Sequence, residues 1–203
     1  MRSNIIYDSN QIHTAWAANA ELNYFITPKG QQANQITTGT NTPYSKSDYH
    51  TNSKLNQTER GQKLIIRGFD LWLDETDENL VEQVIYGGKG LFTFYKGDDI
   101  IFQIPLQKLY SPTSSLASGF SDGQATAKAQ KEARILSGGL NDYQKLDYGI
   151  VIPELTTFKA VIKLTAAQTI KKFTFDYGAA AANAAYTTAF NLFVGLRVDE
   201  DKK

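Results

Sequence analysis

The sequence contains no cysteine. Disulfides, thiolate metal sites and cysteine nucleophiles are therefore excluded. The same absence fits a protein made in a reducing cytosol. Histidine is almost missing: His13 and His50 are the only two. Both lie in a polar N-terminal region rather than on a strand that would hold a catalytic base, and no G-x-S-x-G elbow is present. Charge of one sign is lacking too, since 21 basic residues balance 21 acidic ones. No basic footprint for nucleic acid stands out, and copies of the chain have little net charge with which to repel one another. Nothing approaches the ~18 apolar residues of a membrane helix. The longest apolar-looking stretch, "GAAAANAAYTTAFNLFVG", is mostly alanine and is broken by Asn183, Tyr186 and two threonines. The opening residues "MRSNIIYDSNQIHTAWAANAEL" lack the apolar core of a secretion signal. No repeat of fixed period is visible, which argues against a propeller or solenoid.

What is present is alternation. Residues 1–60 read as an N-terminal arm and polar loop with one strand, 20–28, ended by Pro28 and Gly30. The stretch "KGQQANQITTGTNTPYSKSDYHTNSKLNQTERGQ" has too few large aliphatics to bury much area by itself. Residues 61–203 read as the core. In "QKLIIRGFDLWLDE", Leu64 and Ile66 have one parity and Phe69, Leu71 and Leu73 the other, so a bulge is expected at Gly68. "LVEQVIY" (80–86) reads as a strand ending in the turn "GGKG". "LFTFYKGDDIIFQIPLQKLY" reads as a hairpin whose second arm is an edge, or stops, at Pro105. The connection 107–147 holds one short helix, "ATAKAQKEARILSGG" (125–139). Three further strands lie in "TTFKAVIKLTA", "IKKFTFDYG" and "TTAFNLFVGLRVDEDKK". The last puts Phe190, Leu192, Val194, Leu196 and Val198 on one face and must be paired and buried, with "DEDKK" left as a solvated stub. About eight strands, one helix and long uneven connections predict an all-β antiparallel sandwich of jelly-roll type.

Chemistry-bearing motifs are weak. "YGGKG" (86–90) lacks the P-loop pattern and reads as a hairpin tip. Asp74, Glu75, Asp77 and Glu78 in "DETDEN" offer oxygen ligands for calcium, yet without an EF-hand pattern the plainer reading is a solvated acidic turn. Asp98 and Asp99 say less. Asp147 and Glu154 are one of many carboxylate pairs that glycosidase chemistry would accept. The sequon at Asn56 has no secretory context. No residue is assigned a catalytic, cofactor-binding or metal-binding role, and the chain reads as a non-enzyme. Among 24 aromatic residues (11 Tyr, 11 Phe, 2 Trp), Trp16, Tyr44, Tyr49 and Tyr110 are the candidates for exposed rings that stack on sugars or proteins. Phe193 and Val161 point outward from their strands, and Trp72 lies opposite the core face of its own. This suggests that both sheet faces are covered, one by the protein's own loops and one by a neighbouring subunit.

The polar arm, "GQKLIIRGFDLWL", "FTFYKGDDIIFQIPLQKLY", "IPELTTFKAVIKLTAA" and the terminal "FNLFVGLRVDE" together resemble the single jelly-roll capsid proteins of tailless icosahedral bacteriophages. The likeness covers about residues 60–200. It implies one jelly roll, an N-terminal arm that orders against neighbours, and no catalysis. The expected function is thus a capsid or vertex subunit that self-assembles, located in the virion after synthesis in the host cytoplasm. Its expected partners are copies of itself and other virion proteins, with no cofactor. The alternative is a carbohydrate- or receptor-binding β-sandwich module of a fibre or surface appendage, whose partner is a glycan.

Overall fold

The structure is a computed structural model that describes residues 2–12, 15–34, 42–53, 57–74, 82–110, 115–118, 133–136, 144–169, 171–173, 183–185 and 189–202. Eight strands build its body. They are β1 (Arg2–Ile12), β2 (Ala20–Tyr24), β3 (Gln62–Leu73), β4 (Gly90–Lys96), β5 (Asp99–Pro105), β6 (Gln144–Ile152), β7 (Phe158–Leu164) and β8 (Phe190–Lys202). One sheet has the order β1-β8-β3-β6 and the other β2-β7-β4-β5. Every neighbouring pair is antiparallel. The protein is an all-β sandwich. Its pairing is nested: β1 lies beside β8, β2 beside β7, β3 beside β6 and β4 beside β5.

The alternation in the sequence explains which faces meet. Leu192, Val194, Leu196 and Val198 of β8 are buried, as are Phe92 and Phe94 of β4 and Ala160, Ile162 and Leu164 of β7. Phe69 bridges the two sheets, with ring centroids 5.1 Å from Phe92, 5.3 Å from Phe94 and 5.0 Å from Phe102. The buried Tyr24 hydroxyl crosses the gap to donate to the Leu192 carbonyl at 3.3 Å. The phase change in β3 falls where expected: the register of β3 against β8 slips between Ile66 and Gly68, leaving Arg67 as the extra residue. The β4–β5 hairpin turns at Gly97-Asp98, with Gly97 at φ +59°, a conformation open to glycine at little cost. Strand β5 is the edge of its sheet and stops at Pro105.

Several expectations need correction. Residues 1–60 are not an arm outside the core. β1 pairs with β8 from Arg2 to Ile12, and β2 pairs with β7. β1 was missed because its core-facing side carries Asp8 and Asn10, which break the apolar alternation. Glu82–Gly87 forms a π-helical turn rather than a strand, with the consecutive Val84 and Ile85 both buried. Consecutive burial does not fit a one-sided strand, and a short apolar run leaves the choice open. Ala133–Leu136, at the end of the expected helix 125–139, is a strand paired with Ser115–Ser118; the rest of that helix lies outside the described residues. A strand, β6, occupies 144–152; its first residues fall within the connection 107–147 and no strand was expected over the rest. The acidic and basic ending is no stub, because Glu200, Asp201 and Lys202 continue the ladder opposite Leu64, Lys63 and Gln62. In the expected strand 170–178, Lys171–Phe173 pairs with Asn183–Ala185, and the remainder lies outside the described residues.

Phe69→Ala removes the ring that touches both sheets. It should cost about 3–5 kcal/mol, read as a lower urea midpoint with an unchanged slope.

Candidate functional site

A sandwich has two open sides, where the edge strands of its sheets lie. At one of them β1 and β2 come together, and the Asn10 side-chain amide donates to the Asn23 carbonyl at 2.8 Å. This side is covered by the chain itself. Residues 42–53 form a strap over the outer edge of β1 and the adjoining outer face. Asn52 imitates a strand there. Its Oδ1 accepts from Tyr7 N at 2.7 Å, its Nδ2 donates to Ile5 O at 2.7 Å, and its own N–H donates to Tyr7 O at 3.2 Å. Thr51 Oγ1 also donates to Tyr7 O, at 3.1 Å. Further along, Tyr44 Oη accepts from Gln11 N at 3.3 Å and donates to Ser9 O at 3.4 Å. The unpaired groups that make a strand edge prone to association are thereby largely satisfied by side chains.

The strap is anchored by a buried ion pair. Lys46 Nζ lies 2.6 Å from Asp8 Oδ1, and the two side chains are 1% and 0% exposed. The other carboxylate oxygen of Asp8 accepts from Phe25 N at 2.6 Å. Phe25 has φ +66°, a strained conformation for a bulky residue, and it turns its N–H toward that carboxylate. Burial raises the Asp8 carboxyl above its ordinary value, and the attraction and hydrogen bond of Lys46 oppose the rise. Burial likewise lowers Lys46, with Asp8 opposing. Burial thus opposes the charged form at both ends while the pairing favours it, and the contact ties the strap to β1.

Beneath the strap is an aromatic slab. Trp72 and Phe193 stack at 5.0 Å and 7°, with Tyr7 at 6.3 Å and Tyr49 edge-on to Phe193 at 5.5 Å. Gly195 makes room for it, since a Cβ there would lie 2.9 Å from the Trp72 ring. Around the slab, Arg197 Nε meets Asp70 at 2.6 Å, and Arg67 Nε and Ser3 Oγ both bond Asp199, at 2.8 and 2.7 Å. The expectation that the protein's own loops cover one outer sheet face matches this arrangement.

Other residues singled out by the sequence fall apart as a chemical site. Asp74 bonds the backbone and side chain of Asn191 and the Tyr49 hydroxyl, while 75–80 lie outside the described residues. His13 and Asn56 lie outside them too. His50 Nδ1 accepts from Ser47 N at 3.1 Å and sits 2.8 Å from Ser47 Oγ. This is a four-residue turn, Ser47–His50, and Asp74 bonds Tyr49 rather than this histidine. Trp16 is no surface ring: it is 1% exposed, and its Nε1 donates to Ala166 O at 2.9 Å. Tyr110 packs against the core, Tyr44 is half-buried against His50, and only Tyr49 among the four is exposed. Asp147 lies on β6 and Glu154 in the turn beyond it, where Glu154 accepts from Gly61 N at 2.6 Å. The "GGKG" turn leads directly into β4, with Lys89 at φ +46°. Among the described residues no group of three or more His, Cys, Asp or Glu could hold a metal ion, and no helix is long and apolar enough to cross a membrane. The sequence gives no signal for Asp8, Lys46 or Asn52, whose roles arise only when residues 42–53 fold back on β1.

The opposite side, bounded by β5 and β6, differs. Among the described residues neither strand has a neighbour on its outer edge. Exposed apolar side chains gather on these elements: Ile100 and Ile101 on β5, Tyr148 and Val151 on β6, and Leu155 just after it. No family model, curated protein or solved structure matches this chain.

Two predictions follow from the strapped side. Lys46→Met leaves the Asp8 carboxylate buried without its countercharge and should cost about 3–5 kcal/mol. The double variant Asp8→Leu/Lys46→Met should lose less than that single variant, as a double-mutant cycle in urea would measure. Burial pushes Tyr44 up to about 12, with the Gln11 N–H opposing and Asp8 adding. The folded state thus holds the phenol proton more tightly than the unfolded chain. The resulting stability is intact below the ordinary value of 10.0 and is lost as pH rises through about 12. Tyr44→Phe should flatten that alkaline loss in denaturation midpoints measured across this range.

Proposed function

We propose that this chain is a structural subunit of a virus particle, a capsid or vertex protein that assembles through its β-sandwich. The nested strand order carries this reading. The pairing of the eight body strands, first with last, second with seventh, third with sixth and fourth with fifth, supports a jelly-roll reading of the sandwich, an architecture used by viral capsid domains. Two further observations support it. Among the described residues the β5/β6 side presents unpaired strand edges and large apolar side chains, and monomeric proteins usually blunt such edges. The balanced charge leaves little repulsion between copies. The N-terminal residues contribute as strands of the sandwich and as its strap, so assembly on this reading does not need an arm that orders late. Lectin domains share the architecture, but three of the four rings suited to sugar stacking are committed to the core or the strap, and the assembling subunit is the better-supported reading.

The test is light scattering of the full chain after size exclusion over rising concentration, with negative-stain microscopy of the same fractions. Discrete closed oligomers or shells are expected. A chain that stays monomeric at the highest concentration reached would overturn the reading.

A further inference from the structure

We infer that Asp8 and Lys46 form a self-modification site, where the lysine amine condenses with the aspartate carboxyl to give an amide that locks the strap covalently to β1. The inference is independent of the assembly reading above.

Three observations carry it. The reacting groups touch and are shut off from solvent: Lys46 Nζ lies 2.6 Å from Asp8 Oδ1, with the side chains 1% and 0% exposed. Both residues are held by their backbones. Asp8 sits within the β1–β8 ladder opposite Val194. The Lys46 N–H donates to Gln31 O at 3.0 Å, and its carbonyl accepts from Gly30 N at 2.8 Å. Two reactants held in contact meet as if at a concentration of about 10⁵–10⁸ M in well-oriented cases. The two carboxyl oxygens are also made unlike. Oδ1 faces the amine, while Oδ2 accepts the Phe25 N–H at 2.6 Å, from a residue strained to φ +66°. Strain of this kind gathers where a group must be aimed at a reacting centre.

The surroundings favour the reaction. Burial raises Asp8 and lowers Lys46, against the attraction between them. It thereby favours the neutral acid and the neutral amine, which are the forms that condense. Condensation replaces two buried charges with one neutral amide and so removes the desolvation cost of the ion pair. The chain has no cysteine with which to staple the same segments.

The step balances without an oxidant, reductant or cofactor. Lys46 first passes a proton to Oδ1 across their contact. The Nζ lone pair then adds to Cγ, and Oδ2 takes the developing negative charge against the Phe25 N–H. The tetrahedral centre collapses as the Cγ–Oδ1 bond breaks. The departing oxygen keeps the proton it received, takes a second from Nζ and leaves as water, while Oδ2 becomes the amide carbonyl.

Mass spectrometry tests this on the full chain, shown to be folded by circular dichroism and a cooperative urea transition. Its intact mass, measured in denaturing solvent after warm incubation of the folded protein, should be lower than the sequence requires by one water molecule. Trypsin should yield a fragment joining residues 3–29 to residues 30–54, uncut after Lys46. Lys46→Arg keeps a positive partner for Asp8 but offers no amine, and should show the full mass and no joined fragment. A joined fragment in only part of the population still supports the inference. A folded, unmodified chain that keeps its full mass throughout incubation overturns it, as does a water loss that maps to any other position. Either result leaves the assembly reading untouched, since that reading is decided by particle size.

Discussion

Unsatisfied strand edges are the constraint around which this structure is organised. Two four-stranded sheets have four edges, and every edge peptide group is a donor or acceptor that must find water, protein or another chain. On the β1/β2 side the protein answers from within: Asn52, Thr51 and Tyr44 bond the outer edge of β1. On the β5/β6 side no equivalent is seen among the described residues, and Ile100, Ile101, Tyr148 and Val151 are left facing outward. The difference between the two sides carries more functional information than any single residue does.

The buried Asp8–Lys46 pair belongs to the same logic. An ion pair taken out of water is an expensive way to gain stability and an effective way to fix one position for a polar segment. The strap is rich in Ser, Thr and Tyr and has no Ala, Val, Ile, Leu or Met with which to find its place. The charge pair, the left-handed Phe25 and the Asn52 contacts supply the register that hydrophobic burial supplies elsewhere.

Strands that alternate were legible in the sequence; those that do not were lost. The core parity of β8, the slip beside Gly68, the hairpin at Gly97 and the end of β5 at Pro105 all follow from local rules of alternation and turn chemistry. β1 was hidden because its inward positions include a carboxylate whose partner lies 38 residues away. β6 was hidden because its ladder with β3 breaks between Lys145 and Ile150. Both are edge strands, where the requirement for clean alternation is weakest. The strap was illegible for a related reason: its contacts are polar, long-range and one of a kind, so no periodicity announces them.

The pairing of β1 with β8 also sets a schedule for folding. Ser3 and Asp199 are hydrogen-bonded across 196 residues, whereas Tyr7 and Asn52 are separated by 45. During synthesis β1 therefore meets its strap long before it meets its sheet. Contacts of such long range form slowly, and exposed edges are vulnerable in the interval. The strap can guard one edge of β1 while the other waits for the last strand, so a nascent chain is shielded on its covered side before its sheet can close.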